Sequence, residues 1–227
     1  MARRTIARPV EIRGMGLHTG AQTTVRCLPG EADGGVQFHR TDLADRPVIA
    51  ARLHEVEATE RRTALGREGR TIHTVEHLLA AVHALGLDDL VIEIDGPEPP
   101  ILDGSFAPWL GLLEEAGTAD LPGEPAVYRV TATFHVTEGD ATYVVAPEKG
   151  LRLTTTIEWD HPLIGRQVGT FDLSPDAFRQ EVAPARTFGF TREVEALRAK
   201  GLLKGASVDT AVVLSDDGLV HGELRWP

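Results

Sequence analysis

The spacing of the apolar residues changes at Thr74, and this change is the strongest constraint on the fold. Before it, β-branched or alternating residues are separated by Gly, Pro and Asp clusters, which predicts strands at residues 5–12, 22–28, 35–39 and 48–56. After it, Thr74 is the predicted N-cap and Gly86 the predicted end of a helix. The apolar residues of this helix recur every three or four positions, at Val75, Leu78, Leu79, Val82 and Leu85.

The rest of the chain repeats this order of strands followed by helices. A strand at 90–94, a proline-rich loop at 95–108 and a short helix at 107–116, capped by Ser105, complete the first half. The second half predicts strands at 127–136, 141–146, 151–158 and 210–214, and helices at 175–182 and 190–200. We therefore predict an α+β fold of two similarly built units, each a small, mainly antiparallel sheet packed with helices. The predicted units are residues 1–118 and 127–227, with a linker at 119–126 and the active site between the units.

The charge balance limits the classes of partner. The chain has 23 Lys and Arg against 34 Asp and Glu, a net charge of −11. A nucleic-acid groove needs a basic face, so no nucleic acid is expected as a partner. The single cysteine, Cys27, excludes an intrachain disulfide, and no apolar run reaches the roughly 20 residues of a membrane span. We expect a cytoplasmic, monomeric protein with no integral membrane segment.

Residues 73–77 (HTVEH) carry the sharpest chemical pattern. Two imidazoles four residues apart on a helix share one face and can bind a metal, with Glu76 beside the metal-bound water, as in inverzincin metallopeptidases. The opposing interpretation is an ordinary helix start, with Glu76 at the positive end of the helix dipole and His77 as a packing residue. His73 precedes the predicted cap, and the pentapeptide alone slightly favours the second interpretation.

Four segments in a fixed order resemble one family. They are residues 8–20 (RPVEIRGMGLHTG), 74–81 (TVEHLLAA), 95–105 (DGPEPPILDGS) and 185–190 (ARTFGF). In this order and at these separations they resemble the UDP-3-O-acyl-N-acetylglucosamine deacetylases, the zinc amidases of lipid A biosynthesis. The resemblance runs from near residue 5 to Pro227. It implies hydrolysis of the N-acetyl group of UDP-3-O-acyl-N-acetylglucosamine to the free amine and acetate, with Zn²⁺ as the cofactor.

The resemblance also implies roles for individual residues. Glu76 would act as the general base and His77 as a zinc ligand. Thr187 would donate a hydrogen bond to the oxyanion, since fixed dipoles aimed at developing charge are a large catalytic term. Phe188 would lie beside the substrate and His18 near the cleft. On this reading the match of residues 73–77 to a peptidase motif is a coincidence.

Two further expectations concern support of the site and the acyl chain. Asp103 would be a carboxylate that orients the zinc-bound imidazole, although a simple turn-forming role before Gly104 is an equal alternative. A β-α-β unit after residue 188 would form a passage for the acyl chain. The candidate lining residues are Val194, Leu203, Val208, Ala211 and Val213.

Part of the family's machinery has no counterpart in these residues. The family's other two zinc ligands, in a His-Lys-x-x-Asp motif, and its general-acid histidine lie C-terminal to the equivalent of residue 227. Catalytic zinc normally takes three protein ligands. We therefore expect a C-terminally truncated, incomplete second unit and an inactive 227-residue chain. The alternatives are an inverzincin-like metallopeptidase and a metal-free relative that binds nucleotide sugar or lipid.

Overall fold

The computed structural model describes residues 2–58, 60–222 and 224–225. Its first ten strands are β1 (Arg3–Ile6), β2 (Val10–Met15), β3 (Gln22–Pro29), β4 (Val36–Arg40), β5 (Val48–Ala50), β6 (Val56–Ala58), β7 (Ala64–Arg67), β8 (Arg70–Ile72), β9 (Leu90–Ile94) and β10 (Thr118–Leu121). The later strands are β11 (Phe134–Glu138), β12 (Ala141–Val145), β13 (Leu151–Glu158), β14 (Arg166–Leu173), β15 (Phe188–Phe190), β16 (Val212–Leu214) and β17 (Leu219–His221). The α-helices are α1 (Glu76–Ala84), α2 (Ala107–Ala116), α3 (Pro175–Ala177) and α4 (Thr191–Ala199), and α3 continues as a π-type turn (Phe178–Val182).

A five-stranded sheet with two helices forms the core of the first half. The strand order is β2-β3-β9-β4-β5, and β4 and β9 are the parallel pair in an otherwise antiparallel sheet. Alternate residues of β9 are buried, as expected for a strand with one face on a core. The buried faces of α1 and α2 join the same hydrophobic cluster, through Leu78, Ala81, Val82, Trp109, Leu110 and Leu113.

The second half is built from smaller sheets. Strands β11 and β12 form one antiparallel pair, and β13 and β14 form another. Strands β15 and β16 are parallel with α4 between them, which is the β-α-β unit expected after residue 188. This unit has a small core of its own around Phe190, Val212 and Leu214. The predicted α+β class is confirmed.

Several predicted strand boundaries are wrong for identifiable reasons. The strand predicted at 5–12 is divided into β1 and β2 around Pro9, which has no N–H to donate to a ladder. The strand predicted at 48–56 is interrupted by a 3-10 turn (Leu53–Glu55). Strands β7 and β8 were not predicted, because Gly66 and Gly69 mask their alternation.

The region predicted as a linker begins with a strand. Residues 118–121 form β10, which pairs with β1 from Arg3 opposite Leu121 to Ile6 opposite Thr118. The strand predicted at 127–136 begins only at Phe134. The stretch without strand or helix between the two halves is therefore 122–133. The division into two units remains a prediction.

The predicted caps are partly right. Gly86 follows α1 with φ +63°, as a C′ glycine does. Thr74 is not the N-cap, because Val75 occupies that position and Thr74 itself has φ +56°. Ser105 is not the N-cap of α2 either, because Phe106 occupies that position, although the Ser105 hydroxyl accepts a 3.3 Å hydrogen bond from the Ala107 N–H. Within the described residues no helix is long and apolar enough to cross a membrane.

Candidate active site

Glu76 and His77 are the first two residues of α1. Although they are adjacent in sequence, their side chains contact different neighbours. The Glu76 Oε2 atom accepts a 2.9 Å hydrogen bond from the backbone N–H of Thr63. The His77 ring packs against Phe106, with the ring centroids 5.0 Å apart. The start of α1 is therefore fastened on one side to the segment before β7 and on the other to the start of α2.

The environment of His77 favours a neutral imidazole. Burial lowers the pKa of His77, and the nearby charge of Glu76, the backbone of Ser105 and the charge of Asp103 oppose this effect without cancelling it. The Nδ1 atom is buried and has no hydrogen-bond partner among the described residues. A neutral ring with an unpaired nitrogen is the form of histidine that binds metal ions.

Residues 103–105 connect the surroundings of His77 to Thr187. The backbone N–H of Thr187 donates a 2.8 Å hydrogen bond to the carbonyl oxygen of Gly104. Gly104 has φ +81°, and a Cβ atom there would lie 2.1 Å from the carbonyl oxygen of Thr210, so the two segments meet only because this residue is glycine. Thr187 thus borders the same short loop whose Asp103 and Ser105 influence His77.

Asp103 acts on His77 through charge rather than through a hydrogen bond. Its Oδ1 accepts from the Ser105 N–H at 3.0 Å and hydroxyl at 2.7 Å, and its Oδ2 accepts from Arg225 at 2.8 Å. Burial by itself raises the pKa of Asp103, but the hydrogen bonds from Arg225 and Ser105 outweigh burial and the pKa is lowered. Among the described residues no hydrogen bond joins Asp103 to His77, so its orienting role remains a prediction.

His18 lies in a buried turn close to the start of α1. The residue is 3% exposed, and neither ring nitrogen has a hydrogen-bond partner among the described residues. Burial is the main cause of its lowered pKa, and Glu98, Arg62 and Glu76 are near enough to contribute. His18 is therefore near Glu76, and its position beside a substrate cleft remains a prediction.

The candidate passage residues occupy different surroundings. Leu203 immediately precedes Lys204, whose N–H donates to the carbonyl oxygen of His18 at 3.2 Å. Val208 is 44% exposed and lines a separate hollow with Asp103. The half-buried members are Val194 on α4, Ala211 just before β16 and Val213 within β16. Whether these side chains line one passage remains a prediction.

Phe188 follows Thr187 and is the first residue of β15. It is 39% exposed and its ring meets Trp159 edge-on, with the centroids 5.6 Å apart. An exposed aromatic face beside Thr187 is available to a ligand, and its substrate contact remains a prediction.

Three residues beside the candidate site were not predicted from the sequence: Glu98, Arg62 and Thr63. Glu98 is fully buried and accepts hydrogen bonds from two segments that flank the site. Arg62 has a buried Nε without a partner among the described residues, and lies near both His18 and His73. An acidic residue isolated among Pro97, Pro99 and Pro100 was the available signal for Glu98.

The zinc site that the sequence predicts has one candidate ligand, His77, among the described residues. His77 has the required unpaired nitrogen. Within the described residues, however, no group of three His, Cys, Asp or Glu side chains is arranged to hold a metal ion. His73 lies before α1, so it does not share a helix face with His77, and the geometry of the peptidase motif is not formed. A catalytic zinc ion would therefore need ligands from outside these residues.

Comparison with known proteins identifies the family of this chain. The sequence model of the family LpxC, UDP-3-O-acyl N-acetylglycosamine deacetylase, matches residues 3–227. A UDP-3-O-acyl-N-acetylglucosamine deacetylase of Syntrophotalea carbinolica is 41% identical over 217 residues, which are 96% of this chain and 70% of that protein. The proteins of the same name from Brucella melitensis and Brucella ovis are also 41% identical over 96% of this chain, and the match covers 76% of each.

These matches place the chain in a class of hydrolases, the deacetylases. Within that class, the chain belongs to the UDP-3-O-acyl-N-acetylglucosamine deacetylase family.

Proposed function

We propose that this chain carries part of a zinc-dependent site that hydrolyses the N-acetyl group of UDP-3-O-acyl-N-acetylglucosamine to the free amine and acetate, in cytoplasmic lipid A biosynthesis. The observation that carries the proposal is the loop 103–105, which touches both the surroundings of His77 and the backbone of Thr187. Family membership supports the substrate class. The proposed base is Glu76, and its carboxylate is held at the start of α1 by the hydrogen bond from the Thr63 N–H.

Three residues have one chemical task each in this proposal: Glu76, Thr187 and His77. The Glu76 carboxylate accepts a proton from water while the water oxygen forms a bond to the amide carbon. The Thr187 hydroxyl donates a hydrogen bond to the carbonyl oxygen as it gains negative charge. The C–N bond then breaks and the nitrogen leaves as the amine after taking up a proton, which the general-acid histidine expected C-terminal to the equivalent of residue 227 would supply. His77 contributes a zinc ligand, and zinc when bound supplies Lewis-acid chemistry to the carbonyl.

The substrate's other parts are assigned to neighbouring segments. Phe188 offers an exposed ring beside Thr187, and His18 lies on the Glu76 side. The β-α-β unit carries the residues proposed to contact the acyl chain. Its α4 helix is tied to the segment before β7 by the Arg61–Glu193 pair, with 2.9 Å between nitrogen and oxygen. The acyl chain would therefore meet the site from the α4 side.

The proposal is tested with the 227-residue chain alone and together with the portion of the Brucella melitensis relative that lies outside the match. Alone, the chain is expected to retain less than stoichiometric zinc by elemental analysis and to release no acetate, because it offers one ligand of three. Co-expressed with the additional portion, it is expected to release acetate from the substrate.

Two variants then locate the base. Glu76→Gln is expected to lower acetate release at least ~100-fold, because general-base catalysis contributes 10²–10⁴-fold. Glu115→Gln is the matched control, since this carboxylate is exposed on α2 and pairs with Arg8 at the surface. Stoichiometric zinc in the chain alone would contradict the ligand count. Undiminished activity of Glu76→Gln would contradict the assigned base.

A further inference from the structure

Glu98 connects the His18 turn to the start of α1 through one buried carboxylate. Its Oε2 accepts from the backbone N–H and the hydroxyl of Thr19, both at 2.7 Å. Its Oε1 accepts from the hydroxyl of Thr74 at 2.6 Å, and the His18 N–H lies 3.0 Å from both oxygens. Thr19 and Thr74 lie in distant parts of the sequence, and this side chain bonds to both.

The carboxylate is held in its charged form without solvent. Glu98 is 0% exposed. Burial alone raises the pKa of Glu98, but the hydrogen bonds from Thr74, Thr19 and His18 outweigh burial and the pKa is lowered. A buried charge is retained only where donors satisfy it, so each of these hydrogen bonds constrains the segment that provides it.

Both partner segments are shaped around this group. Thr74 has φ +56°, a conformation that β-branched residues rarely adopt and that persists only where the surroundings enforce it. A Cβ atom on Gly16 would lie 2.5 Å from Glu98 Oε2. Only glycine at position 16 therefore lets the turn approach the carboxylate this closely. The His73 N–H also donates to the Pro97 carbonyl oxygen at 2.8 Å, directly beside this carboxylate.

We propose that Glu98 is a positioning residue that fixes the start of α1, and with it Glu76 and His77, relative to the His18 turn. Thr74 lies two residues before Glu76, so the strained backbone that Glu98 holds leads directly into the proposed base. The catalytic meaning of this role rests on the proposed function, but the positioning itself does not.

The positioning is tested by NMR on the 227-residue chain, without reference to activity. Glu98→Gln keeps the size of the side chain but turns an amide NH₂ toward groups that donate. We expect it to shift the backbone amide resonances of Thr19 and Thr74, and to shift those of Glu76 and His77 as well. Glu93→Gln is the matched control, because this carboxylate on β9 pairs with Arg26 near the surface, 3.5 Å apart. Changes confined to Thr19 and Thr74 would overturn the proposal.

A second variant and a second readout separate positioning from simple stability. If Glu98→Gln does not fold, Thr74→Val is used instead, because it removes only the hydroxyl that donates to Glu98. This variant is also expected to shift the backbone amide resonances of Glu76 and His77, and unshifted resonances would overturn the proposal. In the reconstituted acetate assay, Glu98→Gln is expected to lower kcat at least about tenfold with KM within about twofold, as loss of an orienting group does. An unchanged kcat overturns the catalytic meaning of this role, whereas the positioning is decided by NMR. If the wild-type chain shows no acetate release at all, the proposed function fails, and the NMR result still decides the positioning.

Discussion

Gly104 has no side chain, yet its backbone decides where Thr187 lies. The residue combines a positive φ with a carbonyl oxygen, that of Thr210, in the space a Cβ atom would need. The Thr187 Cγ2 atom would be only 3.3 Å from the same Cβ. Any side chain at this position must push back the segment that carries Thr187.

Gly104→Ala is accordingly expected to lower the free energy of unfolding by more than about 2 kcal/mol, since both strain and overlap act on one residue. Urea unfolding followed by circular dichroism measures this. Gly111→Ala is the control, because Gly111 lies within α2 with nothing within 4 Å of the added Cβ, and it is expected to stabilise by up to ~1 kcal/mol. Equal effects of the two variants would contradict the close approach.

Arg3 and Asp89 form a buried pair that ties β1 to the turn before β9. The Arg3 Nε and Nη2 atoms each lie 2.7 Å from an Asp89 oxygen, and the Asp89 side chain is 0% exposed. Burial by itself raises the pKa of Asp89, but hydrogen bonds from Arg3 and Gly35 outweigh burial and the pKa is lowered. A lowered folded-state pKa stabilises the fold above the unfolded value of about 3.9, and this contribution is lost as the pH falls from there through the folded-state pKa.

Asp89→Asn is therefore expected to lower the urea midpoint at pH 7, and the difference from wild type is expected to shrink as the pH falls below about 4. Asp33→Asn is the control, because Asp33 is 85% exposed although it also lies 3.2 Å from Arg3. Exposed pairs contribute little, so its midpoint should stay close to wild type. A difference between Asp89→Asn and wild type that does not change with pH would contradict the assignment.

At the scale of elements, the helical segment after β14 fastens the second half to the first. Phe178 is 7% exposed and belongs to the hydrophobic cluster of the first half, where its ring lies 5.7 Å from that of Phe106. The carbonyl oxygen of Ala183 accepts from the N–H groups of Phe106 and Ala107, both at 3.1 Å. This segment therefore supports the same aromatic ring that packs against His77.

Phe178→Ala is expected to lower the free energy of unfolding by about 3–5 kcal/mol, the usual cost of removing a buried aromatic ring. Denaturant unfolding measures the change. Phe134→Ala is the control, since Phe134 is 51% exposed on β11 and should change stability by less than about 1 kcal/mol. A small effect of Phe178→Ala would mean that this segment does not hold the two halves together.

Elements with a clear period were predictable, and those set by distant contacts were not. Strand β9 and helix α2 match the sequence prediction, because burial of one face imposes a regular spacing. Strand β13 also matches its predicted bounds, although all of its residues are exposed, so its β-branched composition rather than burial identified it. Strand β10 was mistaken for a linker because only its pairing with β1 makes it a strand. For the candidate site, the local spacing of residues 73–77 alone slightly favoured an ordinary helix start, and the roles of Glu76 and His77 were predicted from the family resemblance of four ordered segments. The sequence could not show Glu98, whose role depends on Thr19 and Thr74 converging from separate segments.

At the scale of the whole molecule, burial is distributed unevenly between the halves. The large cluster contains the sheet and helices of the first half, whereas β11 and β12 carry exposed apolar side chains. These are Phe134, Val136, Tyr143 and Val144, each more than half exposed. An isolated two-stranded hairpin is marginally stable in water, so we expect the β11–β12 pair to be held less firmly than the central sheet.

Hydrogen exchange is expected to reveal this difference. Relative to intrinsic rates, amides of β3 and β9 should exchange far more slowly than those of β11 and β12, because opening the hairpin exposes little new apolar surface. Mass spectrometry of peptic peptides covering 22–29, 90–94 and 134–145 provides the measurement. Equal protection in all three regions would show that the hairpin is as firmly held as the central sheet.

The pairing of β1 with β10 has a consequence for how this polypeptide can be rearranged. Because the two strands run side by side, the beginning and the end of the first half are neighbours in space. A short bridge between them, with new ends opened at the turn around Gly34, would give a circular permutant with the same sheet and helices. By the same geometry, a domain inserted after residue 121 would enter beside β1 without cutting the central sheet, while the residues that follow it would still return to the first half through Phe178 and Ala183.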